Sequence, residues 1–132
     1  MRIELSALAS LDDIDRGMLE PAFTTAAEQS RRDGRAALAG IFEALAKAVH
    51  APTRAHGVRL DTVADLDAGD LDSLIEGTTM QRDRELTAEC ATRAAFFDQL
   101  REGLDAERKR RTSVLSAIGA AMDWYDRRFP DA

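Results

Sequence analysis

At 132 residues the chain has the length of one domain, and residues 1–132 read as a single helical unit. A formal charge of −6 excludes general nucleic-acid binding, which needs an excess of Lys and Arg, and the sparse β-branched residues with 5% aromatics weigh against a sheet. A lone cysteine, Cys90, excludes an intramolecular disulfide framework and fits a reducing cytoplasm, while no apolar run nears the roughly 20 residues of a membrane span.

In chain order, Ser10 is the expected N-cap of the first helix, with Asp12 and Asp13 in its first turn, where the helix dipole favours acids. Leu11, Ile14, Met18, Leu19, Ala22 and Ala26 recur at helical spacing to about Arg32. Pro21 inside this run predicts a kink or a split-off N-terminal piece, and Gly34 a left-handed stop. The second helix is expected from about Arg35 to Gly57, with Leu38, Phe42, Leu45, Val49 and His56 on one stripe and a late bend at Pro52. Val58 to Ala68 reads as a crossing loop with room for one turn of structure. Asp70 is the next plausible N-cap, Gly77 a stop, and Thr78-x-x-Gln81 has the form of a capping box for a new helix. That helix carries Leu86, Cys90, Ala94, Phe97 and Leu100; Gly103 and Asp105 look like a turn. The last helix carries Val114, Leu115, Ile118, Met122 and Tyr125, and Pro130 ends the order.

With a turn at Gly103 the four main helices come out at about 23 to 31 residues, or roughly 35 to 46 Å. Matched lengths favour an all-α, antiparallel four-helix bundle; a mere kink at Gly103 would instead give one helix from about Thr79 to Arg127 and force dimerisation. The expected core is Phe42, Leu45, Val49, Leu86, Phe97, Leu100, Leu115 and Ile118.

Arg31-Arg32-Asp33-Gly34, Leu38-Ala39-Gly40-Ile41-Phe42 and His56 resemble the turn and second helix of rubrerythrin-like, ferritin-like four-helix bundles. Asp70-Leu71-Asp72-Ser73-Leu74-Ile75-Glu76-Gly77 resembles the start of that family's third helix. The resemblance implies a ferritin-like bundle, but it also places the family's iron ligands at Val49, Pro52 and Thr78, none of which suits the task, and no Glu-x-x-His occurs in the chain. No metal and no cofactor are therefore expected, because a di-iron centre needs about four carboxylates and two imidazoles converging in the core.

His56 reads as a hydrogen-bonded histidine near a helix end, and His50 as a boundary residue. Arg82, Glu85 and Glu89 line a seam beside Leu86 and Cys90 at ion-pairing spacings, and Cys90 itself reads as a small buried apolar residue. Arg108-Lys109-Arg110-Arg111 is the only basic cluster, and its four residues point all round a helix axis. Trp124, Tyr125 and Phe129 stand out in an aromatic-poor chain as an intramolecular cap or an anchor for a partner. Two readings follow. The first is a bundle without the usual di-iron ligands that binds a protein partner or itself, as a dimer. The second is an enzyme or small-ligand binder that uses the bundle interior as a pocket, with His56, Glu20, Glu85 and Glu89 as its polar groups and any metal absent or held by an unusual set.

Overall fold

A computed structural model describes residues 1–50 and 57–129. The protein is all-α, with four helices among the described residues: α1 (Asp13–Arg32), α2 (Ala36–His50), α3 (Ala68–Thr87) and α4 (Ala91–Arg128). Two three-residue strands, β1 (Arg2–Glu4) and β2 (Gly57–Arg59), accompany them, each followed by a 3₁₀ turn, Ser6–Ser10 and Asp61–Asp65.

The chain is a tandem duplication. Each half runs strand, 3₁₀ turn, helix, tight turn, helix, and every matching element starts 55 positions after its counterpart. The sequence keeps that offset without a gap: Leu5 and Leu60, Leu8 and Val63, Leu11 and Leu66, Leu19 and Leu74, Phe42 and Phe97, and Leu45 and Leu100 occupy equivalent slots. Antiparallel pairing sets Ile3 opposite Val58, themselves an equivalent pair, so a pseudo-two-fold axis passes between the strands. Both first helices are capped alike. Asp12 accepts from the N–H of Asp15, and Asp67 from the N–H of Asp70, which satisfies an orphan donor at each N-terminus. Both interhelical turns place a left-handed residue in the same slot, Gly34 with φ 73° and Glu89 with φ 61°. Only the first has the residue type this conformation favours.

Each half is a helical hairpin, α1 on α2 and α3 on α4. The hairpins join through the strand pair, through the first 3₁₀ turn against α4 and through the second against α2. The core fills the space between them, with Leu5, Leu8, Ile41, Leu45, Leu60, Phe96, Leu100 and Leu104 almost fully buried. Phe23 lies within 6.0 Å and 6.3 Å of Phe96 and Phe97, so α1 reaches α4 through aromatic contacts.

Several expectations are corrected. α1 passes through Pro21 unbroken and is capped by Asp12, not Ser10; its buried line is Asp15, Leu19, Phe23, Ala27 and Ser30, while Ile14 and Met18 are exposed. Gly57 belongs to a strand; Pro52 and His56 lie outside the described residues. α3 is capped by Asp67 rather than Asp70 and continues through Gly77, because Leu71, Leu74, Ile75 and Thr78 bury on both sides of it. That burial outweighs the roughly 1 kcal/mol a helical glycine costs. The chain reverses at Glu89, not at Gly103, and Cys90 sits in that turn. Gly103 is glycine for another reason: a Cβ there would come within 2.7–2.8 Å of the Ile3 side chain, so its absence lets β1 lie on α4. Leu86, Leu115 and Ile118 are 56%, 68% and 50% exposed and leave the expected core, and Phe42 is only half-buried at its edge. Leu45, Val49, Phe97 and Leu100 are buried as expected.

The basic run on α4 is a clamp. Arg111 donates to the backbone carbonyls of Leu66 and Val63, both at 2.9 Å, and to Glu107 at 3.2 Å, tying α4 to the second 3₁₀ turn. Arg110 donates twice to buried Glu107, at 2.9 and 2.7 Å. Arg110 first, then Arg111, hold the Glu107 carboxyl down at about 2 from an ordinary 4.5, against the upward push of burial. A depressed carboxylate contributes stability that is complete above its unfolded value and lost as pH falls through its folded one. Glu107→Gln is therefore expected to flatten the acid limb between about pH 4.5 and 2. The contribution removed is on the order of 2 kcal/mol after screening at the exposed Arg110 is allowed for, measured by urea unfolding across that range.

Candidate functional site

Two features stand out once the fold is in place, a groove between the hairpins and an arm beyond them. The groove follows from the duplication. α1 and α3 occupy equivalent slots across the pseudo-axis and line the groove with small residues, Ala22 and Ala26 on α1 and Ser73, Gly77 and Thr78 on α3. They make no extensive contact, and a trough of about 520 Å³ remains between them. Leu19, Phe23, Leu74, Phe97 and Leu100 form its floor, with half-buried Leu38 and Phe42 on the α2 side.

Charged groups close both ends. At one, Arg35 donates to Asp70 at 2.8 Å, a neutral and partly exposed pair. At the other, buried Arg93 donates from Nε to Glu85 at 2.8 Å and from Nη1 to Asp15 at 2.7 Å, while a second Nη hydrogen points to Cys90 Sγ. Gln81 donates to the second Glu85 oxygen at 3.1 Å. These are versions of one link. Asp15 and Asp70 hold equivalent slots at the first turns of α1 and α3, and each pairs with an arginine at the start of the other half's second helix. Burial pushes the Asp15 carboxyl up, but the Asp12 backbone N–H and Arg93 outweigh it and hold it below the ordinary range. The Glu85 hydrogen bond likewise raises Arg93, against desolvation. Two carboxylates thus share one guanidinium.

The residues proposed as polar groups of one pocket are not brought together. Glu20 accepts from His50 Nδ1–H at 3.0–3.1 Å on the α1–α2 surface, in a separate hollow. Glu89 is exposed at the turn, His56 lies outside the described residues, and Glu85 alone lines the groove. Asp15 and Arg93 were missed, although the 55-residue repeat was the available signal: it pairs Asp15 with Asp70. Of the positions matching iron ligands, Val49 is core and Thr78 donates its hydroxyl to the Ile75 carbonyl. Among the described residues no group of three His, Cys, Asp or Glu could hold a metal ion.

The arm is the distal part of α4. Beyond Arg111 every residue from Thr112 to Phe129 is exposed, about 25 Å of helix without a partner among the described residues. Leu115, Ile118, Met122, Tyr125 and Phe129 follow one another at spacings of three and four. Tyr125 and Phe129 rings are 4.9 Å apart, and Arg128 lies over Trp124, so the aromatics stay on the arm and do not fold back onto the body. No helix among the described residues is long and apolar enough to cross a membrane. Comparison with known protein families, with curated proteins and with solved structures finds no match.

Proposed function

We propose that this protein is an interaction module that associates with itself, a duplicated helical body carrying a dimerisation arm on α4. The observation that carries this reading is the three-four spacing of Leu115, Ile118, Met122, Tyr125 and Phe129 on a stretch of helix with no partner among the described residues. That spacing is the seam of a coiled coil, and an identical seam on a second copy completes it. With Val114 and Trp124 beside it, the arm offers on the order of 800 Å² per copy, what each partner buries in a standard interface.

Charge favours one arrangement. The arm balances Asp123 and Asp126 against Arg127 and Arg128, so two arms do not repel, whereas the whole chain carries −6. Antiparallel arms hold the two acidic bodies apart by about 25 Å, well beyond the roughly 8–10 Å screening length, and a parallel pair would set them side by side. Centring on Met122 sets Leu115 against Phe129 and Ile118 near Tyr125, small against large. The four helices are compatible with the rubrerythrin-like resemblance, but the proposal does not depend on it.

Sedimentation tests it. The full chain should be a dimer at roughly 50 µM, and Met122→Glu a monomer whose thermal unfolding differs little from the parent's, because Met122 touches none of the core. A full chain that sediments as a monomer at that concentration overturns the proposal.

A further inference from the structure

We propose that the groove between α1 and α3 binds a single-chain amphiphile with a primary ammonium head, the head at Glu85 and the hydrocarbon lying along α3 towards Asp70. The inference is independent of the dimer arm.

Shape argues for one chain. Asp70 and Glu85 both line the groove and stand 15 residues apart on α3, about 22 Å by helical rise. A volume of about 520 Å³ spread over that length makes a long, narrow trough, a shape that suits an extended chain better than a compact ring system. The volume itself falls within the roughly 300–1,000 Å³ of small-molecule sites.

Charge argues for the head. The Arg35–Asp70 end is neutral, but at the other end Glu85 and Asp15 share Arg93, leaving one surplus negative charge at groups about 10% exposed. Buried charge without a counter-ion is costly, and an ammonium beside Glu85 supplies one, while a carboxylate head would be repelled. Each Glu85 oxygen already accepts one donor, from Gln81 and from Arg93, and can accept a second. The duplication argues for one head rather than two, because Ser30 stands in the slot equivalent to Glu85.

Calorimetric titration of the full chain with dodecylammonium, dodecanol and dodecanoate, each below its micelle or solubility limit, tests this. Dodecylammonium should bind one per chain, at least tenfold more tightly than dodecanoate and more tightly than dodecanol. A Cβ at Gly77 meets nothing within 4 Å, so Gly77→Leu fills the trough without disturbing the fold and should weaken the amine tenfold or more. Glu85→Gln should remove the preference for amine over alcohol. Glu76→Gln changes the net charge equally on the exposed side of α3 and should leave that preference intact. Unchanged amine binding in Gly77→Leu, equal losses in Glu85→Gln and Glu76→Gln, or dodecanoate binding as tightly as the amine would each overturn the proposal.

Discussion

Arg93→Met is expected to destabilise the protein by about 3–5 kcal/mol, the usual loss when one partner of a buried ion pair is removed. Methionine keeps the length of the side chain and much of its packing. It cannot donate, so Asp15 and Glu85 become two buried carboxylates without a counter-ion. Burial then acts unopposed by the guanidinium, and relief comes only by taking up a proton in the folded state or by unfolding into water. Adding Glu85→Gln to Arg93→Met should restore part of the loss by removing one of the stranded charges. Urea unfolding at pH 7 measures both. A loss below about 1 kcal/mol for Arg93→Met would place the triad in water and remove it as the link between the hairpins.

Phe96→Ala is expected to cost a similar 3–5 kcal/mol. Phe96 is 0% exposed and touches Phe23 and Phe97 at ring distances of 6.0 and 5.3 Å, so its removal opens a cavity where α1 and α4 meet. Phe42→Ala should cost clearly less, about 1–2.5 kcal/mol, because Phe42 is half-buried at the groove wall and the site can open to solvent. Thermal and urea unfolding of the two variants side by side would show the order. Equal losses would mean that the groove is closed in solution.

The all-α class, the turn at Asp33-Gly34 and the buried stripe of Leu45, Val49, Phe97 and Leu100 were legible in the sequence. Those features depend on local chemistry: helical spacing, a glycine at a left-handed position, and apolar residues repeating every three or four. Gly77 and Gly103 misled for the same reason. Glycine is read locally as a helix stop, but one is carried through by core residues on either side, and the other makes room for Ile3. The reversal at Glu89 had no local marker, since a glutamate rarely adopts that backbone; only its slot in the repeat, opposite Gly34, points to it.

The site divides along the same line. Glu85 could be marked as a polar residue near an apolar seam, but its partners lie 8 residues away in Arg93 and, through Arg93, 70 away in Asp15. Sequence spacing within one helix says nothing about such distant pairs. The sequence by itself determined that this chain is mostly helical and how its apolar residues repeat, because those follow from backbone geometry over one or two turns. Only the tertiary structure decided that two equivalent halves pack about a pseudo-axis, that small residues on α1 and α3 leave a groove there, and that the last five turns of α4 find no partner among the described residues. Those outcomes depend on which faces meet once the hairpins close.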